Sequence, residues 1–215
     1  MSTSNIKKPL AVLSLVLVVL AGAAGIYWLQ GEPRKAVTAK AASARTVAGG
    51  NGVTREHSTG TMAAFLVRAE RKPLADAAFQ DGKGKALKLS DWRGRVILVN
   101  LWATWCAPCR KEMPDLAELQ KQLGSADFEV VAISVDRKGV EASAGFLKET
   151  GADLLKLYVE PSGTILGTLQ AAGLPVTILI DRSGNEIGRL LGPADWASPD
   201  AVALIKAALA EAATG

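Results

Sequence analysis

The stretch Val96-Ile97-Leu98-Val99-Asn100-Leu101-Trp102-Ala103-Thr104-Trp105-Cys106-Ala107-Pro108-Cys109 decides the fold. Its first half is nearly all apolar, the pattern of a strand covered on both faces. A charged, helix-forming run over 110–123 leads away from it. Cys106 and Cys109 are the two cysteines of the chain, so any thiol chemistry sits where a buried strand turns into a helix. The first backbone N–H groups of a helix lack partners and carry partial positive charge, which favours a thiolate over a thiol. Cys106 is therefore expected to be the more exposed and acidic of the pair. Cys109, one turn deeper, is placed to attack a mixed disulfide formed at Cys106. The same spacing is half of a zinc site, but that needs two further Cys or His ligands. The one histidine, His57, lies far upstream in polar surroundings and reads as a solvated linker residue. No metal ligand set is expected.

Working outward, the run Val99 through Cys109, continued by Arg110-Lys111-Glu112-Met113-Pro114, resembles the active site of thioredoxin-like proteins. It resembles most closely the membrane-anchored TlpA/ResA/DsbE group of bacterial thiol-disulfide oxidoreductases, TlpA foremost. Glu112 and Pro114 after the Cys-x-x-Cys point to this group, and the likeness runs from about residue 73 to the C-terminus. It implies a thioredoxin-like α/β fold with an N-terminal β-hairpin extension and a central helix–strand insertion. That insertion either reads a partner or merely completes the sheet.

The resemblance also assigns roles. Cys106 attacks a client disulfide and Cys109 resolves the mixed disulfide. Thioredoxin's buried Asp, six positions before the first cysteine, is replaced here by Asn100, which is no base. Proton handling then falls to Glu112, on the Cys109 face of the helix; the alternative is a surface glutamate complementing the helix N-terminus. Trp105 and Pro108 shape the site, the indole shielding the sulfurs. Pro175, preceded by Leu174, falls where the group has a cis proline facing the cysteines, and Gly192 where a substrate strand approaches. No cofactor is implied beyond the Cys106–Cys109 disulfide. The expected activity is protein-disulfide reduction by a monomer, on cysteine pairs of apocytochrome c or of copper-site assembly proteins. A membrane thiol reductant supplies the electrons. An oxidase uses the same residues, and a Cu(I)-delivery protein uses the same soft thiolates.

Charge is unevenly spread over the 215 residues. The formal +4 arises from the first 60 residues, at +5, while 61–215 carry −1. A near-neutral folded part gives no electrostatic support for nucleic-acid binding. Lys7 and Lys8 precede an uncharged apolar run over 9–29, long enough to span a membrane, with Tyr27 and Trp28 at its far end. A cleaved signal peptide ending at Ala21-Gly22-Ala23 competes with an anchor, and the hydrophobicity continuing over 26–29 favours the anchor. The expected organisation is a cytoplasmic N-terminus over 1–8, a transmembrane anchor over 9–29, a flexible linker over 30–64 and a domain over 65–215. By the resemblance, that domain faces the periplasm from the bacterial inner membrane.

Within the domain, 61–72 packs as a short helix or an extended segment. Strands over 78–80 and 86–89 flank a glycine-rich turn, and 90–94 forms a further turn. The central strand covers 95–101. The cysteine helix runs to Gly124 and is interrupted by Pro114. A strand over 128–135 makes a parallel unit with the central one. A helix over 140–150, a strand over 154–159 and a helix over 164–172 form the insertion. The strand 178–180, a turn over 181–186, a strand over 187–191 and a helix over 198–213 close the chain.

Overall fold

The computed structural model describes residues 52–211. The apolar run 9–29, the linker up to residue 51 and the last residues, 212–215, lie outside them. Among the described residues, no helix is long and apolar enough to cross a membrane.

Among the described residues, eight strands form one sheet: β1 (Leu66–Val67), β2 (Ala78–Asp81), β3 (Ala86–Lys88), β4 (Val96–Trp102), β5 (Phe128–Ser134), β6 (Tyr158–Val159), β7 (Val176–Ile180) and β8 (Glu186–Leu191). Their order across the sheet is β1-β8-β7-β4-β5-β6-β2-β3. The helices are α1 (Ala107–Leu123), α2 (Gly139–Glu149), α3 (Thr164–Thr168) and α4 (Pro199–Ala210). Every residue of β4 and β5 is buried, as a strand layer covered on both faces requires. β4 runs parallel to β5, in register from Val96↔Phe128 to Trp102↔Ser134, and antiparallel to β7.

The insertion completes the sheet. β6 pairs with β5 on one side and with β2 on the other, so the hairpin of β2 and β3 is attached through it. Phe79, Trp92 and Tyr158 pack there with ring centroids 5.5–5.6 Å apart. β6 is shorter than the expected strand over 154–159. Ala152 and Leu155 are buried in a turn that caps α2 through the Ala152 N–H and Leu147 C=O (2.7 Å). Strand pairing starts only where β5 and β2 both offer partners.

The helix expected over 164–172 stops at Thr168. Gln170 takes a left-handed conformation (φ 52°), and Arg189 of β8 donates to the carbonyls of Leu169 and Gln170 at 3.0 and 3.1 Å. A side chain from the sheet thus satisfies carbonyls that another helical turn would have used.

The linker expectation needs correction at its C-terminal end. Residues 53–64 pack on the body rather than forming free coil. The Val53 N–H donates to Glu211 Oε1 (2.6 Å), the Thr61 N–H donates to Asp200 Oδ2 (3.0 Å), and the Thr61 and Ser198 hydroxyls lie 2.7 Å apart. Met62 is fully buried. His57 is no free linker residue either: its Nδ1 accepts from the Thr54 N–H at 3.2 Å and caps the 3-10 turn Arg55–His57. The open choice over 61–72 resolves into both forms, a 3-10 turn at Gly60–Met62 and then β1 paired with β8.

Candidate active site

Cys106 is the N-cap of α1, and the Cys109 backbone N–H donates to its Sγ at 3.2 Å. The sulfur occupies the place where a capping oxygen usually sits. Negative charge on it faces an unpaired helix donor and the positive end of the helix dipole. Pro108 lies in the first turn, where its missing N–H leaves no bond unmade. A disulfide joins Cys106 to Cys109. Cys106 is 4% exposed and Cys109 0%, so the expected order of exposure holds by a narrow margin.

The loop entering the helix is tied down from β5. Asp136, buried just beyond β5, accepts from the Thr104 N–H at 3.1 Å and from the Thr104 hydroxyl, and also from the Lys138 N–H at 2.9 Å. Burial opposes its ionisation, but the bonds from Thr104 and Lys138 prevail and hold its carboxyl below the ordinary aspartate value. On the other side, Trp102 stacks on Phe146 of α2 (4.8 Å), and the Arg110 guanidinium lies 4.5 Å over the same ring.

Glu112 is 1% exposed. The surface-glutamate alternative is therefore ruled out. Asn100 Nδ2 donates to its Oε1 at 2.9 Å, while the Ala194 N–H (3.2 Å) and the Trp196 indole N–H (3.1 Å) donate to Oε2. Burial pushes its pKa up to about 7 despite these donors, with a further push from the nearby Asp115 charge. A carboxyl so placed exchanges protons near neutral pH. Asn100 Nδ2 also donates to Thr177 Oγ1 at 2.9 Å.

The Leu174–Pro175 bond is cis. Val176, the next residue, pairs with Leu101 of β4, which sets Pro175 at the same end of the sheet as the cysteines. The Gly192 N–H donates to the Pro175 carbonyl at 2.9 Å. Gly192 has φ 101°, with open space where a side chain would begin. Leu174 is half-buried against the core. Trp105 corrects the shielding expectation: it is 70% exposed and stands out in solvent. Leu191, beside Gly192, is also exposed.

Sequence reasoning missed Asp136, Thr104, Thr177 and Trp196, and saw Asn100 only as a residue that is no base. One signal was available: Asn100 and Thr177 are polar residues in strands otherwise apolar, and a buried polar side chain needs a partner. Among the described residues, no group of three or more His, Cys, Asp or Glu is placed to hold a metal ion.

The Redoxin family model matches residues 69–205, more than half of the chain. The chain belongs to the Redoxin family. This Redoxin-family chain is 31% identical over 112 residues to the thiol-disulfide oxidoreductase ResA of Bacillus thuringiensis, covering 52% of this chain and 64% of that relative. It is 35% identical over 121 residues to the thiol:disulfide interchange protein HelX of Rhodobacter capsulatus, covering 56% of this chain and 59% of the relative. The chain therefore spans less than two thirds of the length of either. A crystal structure of a DsbE-type thiol:disulfide interchange protein from Chlorobium tepidum superimposes with a TM-score of 0.58 at 30% identity, over 66% of this chain and 99% of that one. These likenesses show a thioredoxin-like α/β fold of the ResA/DsbE/TlpA kind.

Proposed function

We propose that this Redoxin-family chain is a thiol-disulfide oxidoreductase that reduces cysteine pairs of exported proteins. One observation carries the reading: Cys106 caps α1 through its sulfur, 3.2 Å from the Cys109 N–H, on the helix that also carries the buried Glu112. In the reduced protein, the Cys106 thiolate attacks one sulfur of a client disulfide. The client S–S bond breaks, its second sulfur leaves as a thiolate, and a mixed disulfide forms at Cys106. Cys109 then gives its proton toward Glu112, on the same face of the helix, and attacks the Cys106 sulfur. The Cys106–Cys109 disulfide forms, the first client sulfur is released, and two electrons have passed to the client. A membrane dithiol reductant returns the pair to the reduced state.

Trp105, Leu174, Pro175, Leu191 and Gly192 form the client-facing rim in this reading. Residues 9–29 anchor the domain, which works in the periplasm on clients awaiting haem or copper, such as apocytochrome c or copper-site assembly proteins. The reduction potential of the pair in the full-length protein, equilibrated against a dithiol couple, tests the direction. A value near about −270 mV or lower is expected for a reductase. A value near about −120 mV identifies a disulfide donor and overturns the proposal.

A further inference from the structure

The hydrogen-bond pattern around Glu112 fits only one of its protonation states. As drawn, the carboxyl accepts three bonds and donates none. Once protonated, it must donate through one oxygen or bury an unpaired O–H. Oε2 faces the Ala194 N–H and the Trp196 indole N–H, and neither group can accept. The proton must therefore sit on Oε1, where the partner is the Asn100 amide.

Asn100 can serve the carboxyl in both states, the turned amide leaving its Nδ2 where Oδ1 now has no partner. Its Oδ1 is buried and has no hydrogen-bond partner, and a half-turn of the amide exchanges Oδ1 with Nδ2 about a soft torsion. The second partner of Nδ2, the Thr177 hydroxyl at 2.9 Å, can donate as readily as accept. We infer that Asn100 and Thr177 form a reversible pair that turns over when Glu112 gains or loses its proton, so that the carboxyl is hydrogen-bonded in both states. With Glu112 ionised, Asn100 Nδ2 donates to Oε1 and to Thr177. With Glu112 protonated, its O–H and the Thr177 O–H both donate to Asn100 Oδ1. Asn100 is thus a positioning residue acting through Glu112, and the inference rests on the reading of Glu112 as the proton-exchanging group. An aspartate in its place would put a second carboxylate against the first, and a leucine would leave Oε1 without a partner.

The groups facing Glu112 from each packed element are these. Asn100 of β4, Thr177 of β7 and the Ala194 and Trp196 donors after β8 are all neutral. Asp115 on its own helix carries charge, and Asp195, after β8, acts on Asp115. The cysteines are joined as a disulfide. In the oxidised protein, Glu112 is therefore the group to follow across this pH range.

The test is NMR of the full-length oxidised protein, labelled on asparagine nitrogen and glutamate carboxyl carbon, titrated from pH 5 to 9. Above the Glu112 midpoint, the Asn100 NH2 protons should show nuclear Overhauser contacts to the Thr177 β and methyl protons, and below it these should vanish. Contacts that persist while Glu112 titrates overturn the turnover and leave the proposed function standing. A Glu112 that does not titrate in this range overturns both.

Discussion

The indole N–H of Trp196 donates to Oε2 of Glu112 across 3.1 Å, between residues 84 positions apart in the chain. Both are buried, so the carboxyl is held from the loop after β8 as well as from β4. The helix that carries the cysteines is thereby fixed to the part of the chain that follows Gly192.

Glu112 makes the stability of the fold depend on pH. Its pKa rises from 4.5 to about 7 on folding. Between these values, the native state holds a proton that the unfolded chain has released, so stability falls as pH rises through the window. The loss is of the order of about 3 kcal/mol from pH 4.5 to above 7. Glu112→Gln should flatten this dependence and be more stable than the parent at pH 8. Urea midpoints of the oxidised protein at intervals from pH 5 to 8 check this; parallel profiles for the two proteins would contradict it.

Asp136 sets the loop before Cys106. Removing its carboxylate leaves the Thr104 N–H and hydroxyl without their acceptor. Asp136→Ala should cost about 2 kcal/mol of stability and slow disulfide exchange at Cys106. Denaturation midpoints and the rate of reaction with a peptide disulfide measure the two effects separately.

Much of this architecture was readable from residue order. The apolar run before the cysteines, the turn glycines of the hairpins and the Ser198-Pro199 helix start act through neighbours in sequence, and each element falls within a few residues of its expectation. What pattern could not supply is contact over long separations. Glu112 was assigned from resemblance, but its partners lie 12, 82 and 84 positions away. The Thr61 contacts to Ser198 and Asp200 joined a stretch poor in large apolar residues to the last helix, which made that stretch read as linker. Leu155 looked like part of a strand because an apolar residue covering a helix end has the same local pattern.

Met62 tests that docked segment. It is fully buried between the N-terminal turns and the body, and Met62→Ala should destabilise the protein by about 2–4 kcal/mol. A change within about 0.5 kcal/mol, the range of an ordinary surface substitution, would mean that residues 53–64 contribute no packing.

The order of attack by the two sulfurs is the centre of the account, and trapping tests it most directly. Full-length Cys109→Ala and Cys106→Ala proteins, reduced and mixed with a peptide of known disulfide, are mapped by mass spectrometry for mixed disulfides. The account predicts a stable adduct at Cys106 in Cys109→Ala, none at Cys109 in Cys106→Ala, and released dithiol peptide with the parent protein. An adduct at Cys109 in Cys106→Ala, with Cys106 unreactive in the other variant, would contradict it.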